Sequence, residues 1–247
     1  MKRVRLMAIL LLASSLLIPM AFAQGGRGGG QFDCAMGPMN ADLPLEEVDA
    51  DERNDLLYMR EEEKLARDVY RAMDNLWGLR VFRNISYAEQ RHMDALLGLL
   101  ERHGIEDPVG DSPDGEFANT ELQDLFNQLV AQGSESLNAA LIVGATIEDL
   151  DIHDLDQALT RTDNEDIQIV YQNLRKGSRN HLRAFTSLLE ANGVTYTPQF
   201  ISQVVFDEIL NSPMERGSVD ASGEPTDTGN CGRARHGHRG ERHGLRW

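Results

Sequence analysis

Residues 55–77 read Asp55-Leu-Leu-Tyr-Met-Arg-Glu-Glu-Glu63-Lys-Leu-Ala-Arg-Asp-Val-Tyr70-Arg-Ala-Met-Asp-Asn-Leu-Trp77, and this stretch decides the fold class. Leu56, Met59, Glu63, Ala66, Tyr70, Met73 and Trp77 recur at steps of three and four residues, so they share one face of a helix that Gly78 stops. All are apolar or aromatic except Glu63. A carboxylate on such a stripe is costly to bury without a partner, which raises the question of what faces it. Glu61 and Glu62 beside it read as a solvated acidic edge, with Glu62 as the alternative inward residue.

The same period governs the chain downstream. Phe82, Ile85, Glu89, His92, Leu96 and Leu99 form a second stripe, in a helix that starts near Val81 and ends near His103-Gly104. Ser86-Tyr-Ala-Glu89 also fits a capping box, which would start the helix later and engage Glu89 locally; the apolar Phe82 and Ile85 favour the earlier start. Residues 105–119, rich in Pro, Gly and Asp, read as a loop, and a helix over 120–132 belongs to the same long connection. Two long helices follow, over 134–161 and 163–192, with Thr162 and Glu165 placed to cap the second. A short final helix is expected after Thr197-Pro198, proline being suited to a first turn. No alternating run persists long enough for a sheet, so the expected fold class is all-α.

Glu148 and Asp151 fall on the stripe of the third long helix and His181 on that of the fourth. In an antiparallel hairpin two residues face each other when they are equally far from the turn. Glu148 with His181 and Asp151 with Ser178 share the midpoint 164.5, inside the break at 161–165; Glu63 with His92 gives 77.5, beside Gly78. Both hairpins therefore bring polar groups to mid-height, about 20 Å from the turn in the first at 1.5 Å per residue. A bundle with carboxylates and histidines facing inward is how di-iron or di-manganese sites are built, and converging buried acids call for a cation. Tyr70 and Tyr171 lie on inward stripes where they could line such a site or donate to its acids, and His153 points elsewhere, to the surface.

Glu63-Lys-Leu-Ala66-Arg67-Asp-Val-Tyr70 resembles the Glu-x-x-Ala-Arg-x-x-Tyr of the first rubrerythrin helix, and Glu89-x-x-His92 is similar to the Glu-x-x-His of ferritin-like helices. Across residues 56–210, including Phe82-x-x-Ile85, Glu148-Asp-Leu-Asp151-Ile152 and Gly177-Ser178-Arg-Asn-His181, the chain resembles the prokaryotic family called domain of unknown function 2202, placed with the ferritin-like bundles. The resemblance implies a ferritin-like four-helix bundle: two antiparallel hairpins, a long crossover carrying an extra helix, and a short C-terminal helix. It implies that Glu63, Glu89, His92, Glu148 and His181 are metal ligands. In the fourth helix Ser178 stands where ferritin-like proteins carry a glutamate, a poor substitute as an iron ligand, and Asp151 is the residue placed to compensate. The set of Glu63, Glu89, His92, Glu148, Asp151 and His181 suffices for two iron or manganese ions.

Lys2, Arg3 and Arg5 precede an apolar run ending at Met20, and Ala21-Phe22-Ala23 supplies a small-x-small cleavage pattern. A signal peptide over 1–23, cleaved after Ala23, is expected, giving a secreted or periplasmic protein without a stable membrane span; an uncleaved anchor is the alternative. Cleavage would remove three basic residues and no acid, moving the formal charge from −16 to −19. So acidic a chain repels nucleic acid and suits cations. Residues 24–42 form a Gly-rich lead, 43–213 the helical domain and 214–247 a tail rich in Arg, Gly and His, and neither flank can bury enough apolar surface to fold alone. Cys34 and Cys231, one in each flank, could pair in an oxidising compartment, and His236, His238 and His243 could capture metal. There is no CxxC pair, Gly-rich phosphate loop, HExxH or Gly-x-Ser-x-Gly. The expected function is an exported di-metal protein reacting with a small oxidant such as oxygen or peroxide. The alternatives are a non-catalytic metal-binding protein and a metal-free helical interaction module of the envelope, and a homodimer remains open.

Overall fold

A computed structural model describes residues 43–226; the expected signal peptide, Cys34, Cys231 and the tail histidines lie outside the described residues. Among the described residues are six α-helices and no strand: α1 (Ala50–Trp77), α2 (Arg80–Arg102), α3 (Thr120–Gly133), α4 (Leu137–Leu159), α5 (Glu165–Ala191) and α6 (Gln203–Asn211). None of these helices is long and apolar enough to cross a membrane.

The first helix starts earlier than its apolar stripe. The Asp49 carboxylate accepts from the N–H groups of Asp51 and Glu52 at 2.8 and 2.9 Å, and Glu52 reaches back to the Asp49 N–H at 2.9 Å, a reciprocal cap. Gly78, at φ 62°, ends the helix in the left-handed region and donates its N–H to Asp74 O at 2.8 Å. The second helix starts at Arg80. Ser86 bonds its hydroxyl to Arg83 O at 2.9 Å, inside the helix, so no cap at Ser86 engages Glu89.

Two expected starts are corrected. Asn164, not Thr162, is the N-cap residue of α5; Thr162 donates to Glu52 at 2.6 Å and Asn164 Nδ2 donates to both oxygens of the same carboxylate at 2.8 and 2.9 Å, tying the α4–α5 turn to the start of α1. Pro198 does not open a helix either. Buried Asp149 accepts the N–H groups of Gln199, Phe200 and Ile201 and the Tyr196 hydroxyl, holding residues 196–201 non-helical until Ser202 caps α6.

Helix α1 packs on α2, α2 on α5, α5 on α4 and α4 back on α1, closing a ring, and α3 covers α1 and α4. Both hairpins are antiparallel: Arg60 meets Met93, Glu63 meets His92 and Arg67 meets Gln90 between α1 and α2, and Asp156 meets Arg175, Asp151 meets Ser178 and Glu148 meets His181 between α4 and α5. The apolar interior forms two clusters. On α1 they part between Met59 and Leu65, on α2 between Ile85 and Leu96, and on α5 between Leu174 and Leu182. The charged side chains occupy that gap, a polar layer between two apolar ones.

The connection 103–119 lies over α1, which corrects the reading of Glu61 and Glu62 as a solvated edge: both are buried. Glu61 accepts the N–H groups of Ala118 and Asn119 at 2.6 and 3.1 Å, Arg60 is paired with Asp107, and Lys64 reaches Asp68 at 2.6 Å and Pro113 O at 2.8 Å. Beyond α6, residues 213–226, which include the first part of the expected tail, run along α5, where Glu215 is clamped by Arg179 and Arg183 and Asn173 bonds the backbone of Val219 in both directions.

Candidate metal centre

Five of the six candidate ligands converge in the polar layer, one or two from each helix of the ring. Glu63 on α1, Glu89 on α2 and Glu148 on α4 are only 1 %, 2 % and 1 % exposed. His92 Nδ1 lies 2.7 Å from Glu89 Oε2 and 3.1 Å from Glu63 Oε2. On the other side, His181 Nδ1 lies 2.9 Å from Glu89 Oε1 and 3.4 Å from Glu148 Oε2, aligned with neither for a hydrogen bond. The two imidazoles stack at 5.7 Å between centroids.

Two trios result, Glu63–Glu89–His92 and Glu89–Glu148–His181, each offering one ligand atom per residue with those atoms within 4.8 Å of one another. Glu89 belongs to both, with one oxygen turned to each histidine. The i, i+3 spacing of Glu89 and His92 puts both on one helical face, and the equal distances from the turns bring Glu63 and His181 level with them.

Asp151 sits beside the trios and outside them. One oxygen accepts from the Ser178 hydroxyl, and the other, buried, has no hydrogen-bond partner. Ser178 thus orients an aspartate rather than serving as the fourth-helix acid. Tyr70 donates to Glu148 at 2.5 Å and lines the centre; Tyr171 packs instead in the cluster with Leu56 and Leu174, near Asp55 and Arg161. His153 is half-buried, tilted against Phe200.

The electrostatics are those of crowded acids in a dry layer. Burial, then the neighbouring Asp151, pushes Glu63 well above the usual carboxylate range. Burial and Glu148 raise Asp151 to about 8. Burial works against charge on the histidines, yet Glu63 and Glu89 raise His92 well above its ordinary value, and Glu89 and Glu148 raise His181 to about 10. Against its own burial, Glu89 is pulled low by His181 and His92. The acids thus favour the charged form of the imidazoles, and the imidazoles that of Glu89.

Gly177, unremarked at the sequence level as part of the site, is required by it. A Cβ there would come within 2.6 Å of His92 Nε2, so α5 carries no side chain where the ring lies. Its signal was present, a glycine one step before Ser178 in an unbroken helical pattern.

The chain matches the family described as an uncharacterized protein domain, DUF2202, over residues 52–213. It is 51 % identical over 175 residues to the uncharacterized protein MJ0754 of Methanocaldococcus jannaschii, covering 71 % of this chain and 95 % of that protein. The crystal structure of the hypothetical protein MJ0754 from Methanococcus jannaschii superposes with a TM-score of 0.69 at 51 % identity, covering 70 % of this chain and 99 % of that one. The match includes every residue of the two trios, and the chain belongs to the DUF2202 family.

Proposed function

We propose that this is an exported, ferritin-like protein whose ring of four helices holds two iron or manganese ions and reacts with oxygen or peroxide. The observation that carries the reading is Glu89, whose oxygens face one imidazole each and which is shared by both trios. The donor set fits the ions. Three glutamates and two imidazoles are the oxygen and nitrogen ligands that such metals take. The buried oxygens Glu63 Oε1 and Asp151 Oδ1 have no hydrogen-bond donor, which is a costly arrangement unless something positive meets them.

Glu63 and His92 would hold one ion, Glu148 and His181 the other, and Glu89 both, with Asp151 set beside them. When bound, such ions supply one-electron redox chemistry. The protein's contribution is to keep water out of the layer and to fix the ligands: Tyr70 holds Glu148, Ser178 holds Asp151, and the stacked histidines have Gly177 as their wall. With two cysteines at opposite ends of the chain and no CxxC pair, electrons would come from an external reductant.

Elemental analysis and absorption spectra of the untagged mature protein test the reading. Two ions per chain, falling in His92→Ala and His181→Ala, are expected. A parent that stays metal-free, and gains no thermal stability from iron or manganese, would leave a helical interaction module. Addition of peroxide to the reduced, loaded protein separates the redox reading, which expects turnover, from binding alone.

A further inference from the structure

The run Glu61-Glu62-Glu63-Lys64 is shared out between two neighbourhoods, and Glu62 belongs to neither. Glu61 and Lys64 bind the connection, and Glu63 faces the centre. Glu62 is 3 % exposed, and neither of its oxygens meets a hydrogen-bond donor. The group that faces it is another acid, Asp154 on α4, against which the Tyr58 hydroxyl also lies. Two carboxyl groups turned to each other, with the Tyr58 hydroxyl against Asp154 alone and no donor on Glu62, require a shared proton or a cation.

Their surroundings favour the cation. Asp154 is half-buried and Glu121, in the first turn of α3 and within electrostatic reach of Tyr58, is exposed, so the pair opens toward solvent. Inward, Glu62 feels Asp151 and Glu63, the acids on one side of the centre. Glu121 is exposed, Asp154 half-buried, and Glu62, Glu63 and Asp151 buried, so acids extend from the surface into the polar layer.

We propose that Glu62 and Asp154 form a transit site through which divalent cations enter from the side of the ring covered by α3 and pass to Glu63 and Asp151. The proposal rests on the metal-binding reading above. Two carboxylates and a neighbouring phenol are a sparse set for a hard cation, which would keep much of its water there, so the site suits passage rather than retention. One-signed acids in a low-dielectric cleft also raise the local concentration of the ion.

Stopped-flow mixing of the metal-free full chain with cobalt(II), followed by its visible absorption and by end-point elemental analysis, tests this. Glu62→Gln and Asp154→Asn keep shape and remove charge, and the half-buried Asp154→Asn preserves the test if the change at Glu62 impairs folding. Each variant is expected to load about tenfold more slowly or worse, the scale of such electrostatic focusing, and to reach the parent's final stoichiometry. An unchanged rate would show that the pair merely shares a proton and overturns the proposal alone. A reduced end point would make Glu62 or Asp154 a resident ligand and likewise overturn it. A parent that takes up no cobalt overturns the metal reading itself, a distinguishable failure.

Discussion

The buried Glu148 carboxylate accepts the Tyr70 hydroxyl at 2.5 Å on one oxygen and faces His181 with the other. Tyr70→Phe removes that donor with little change in shape, and a hydrogen bond to a charged group contributes about 1.5–3 kcal/mol. Urea unfolding of the metal-free protein should show a loss near 2 kcal/mol, on the same scale; an unchanged midpoint would mean that Glu148 is satisfied otherwise. Gly177→Ala is expected to act on the opposite side of the layer. In an ordinary helix the change stabilises by about 1 kcal/mol, but here the methyl group meets the His92 ring, which Glu63 and Glu89 hold in place. Metal content should fall from two ions toward one, with the His181 side keeping its ion; retention of both would show that His92 moves freely. The candidate ligands were legible residue by residue because each polar group interrupts an apolar stripe. Asp151 was half legible: its face could be read, but not that Ser178 would take one of its oxygens.

The long helices could be read from their period alone, whereas their ends depended on contacts with distant parts of the chain. Thr162 is drawn from its expected cap by Glu52, which lies 110 residues away in the chain, and Asp149 keeps residues 196–201 out of α6. Burial of Glu61 and Glu62 could not be read from α1 because the cover comes from residues 103–119. The start of α1 was readable in principle: Asp49 and Glu52 have capping-box spacing, but the first turns lack the apolar residues that period-based reading follows. Asp49→Ala should therefore lower stability by about 1 kcal/mol in thermal or urea unfolding. The segment along α5 adds a pH-dependent fastening. Arg179 and Arg183, outweighing partial burial, hold Glu215 below the usual carboxylate range. A lowered folded-state value means stability present above the unfolded carboxylate value near 4.3 and lost as pH falls through the folded one. The protection of residues 213–226 against hydrogen exchange, taken relative to the intrinsic rate at each pH, should fall on acidification below that point, and Glu215→Gln should lower it already at neutral pH; equal protection in parent and variant would contradict the clamp.

At the scale of the whole molecule, the fold encloses a charged layer between two apolar clusters, and no single helix could bury such a layer alone. The ring of helices exists to bring acids and imidazoles from α1, α2, α4 and α5 to one level, and the midpoints near Gly78 and residues 161–165 already contained that information. Ions that bind only the folded chain stabilise it by mass action, by about 2.7 kcal/mol at a hundredfold excess over Kd. The central claim is that Glu89 serves two ions at once, and its most direct measurement is the metal content, by elemental analysis, of the parent and of Glu89→Ala after loading with iron(II) or manganese(II) and removal of free metal. The account predicts two ions per chain in the parent and loss of both in the variant; two ions retained without the Glu89 carboxylate, or none in the parent, would contradict it.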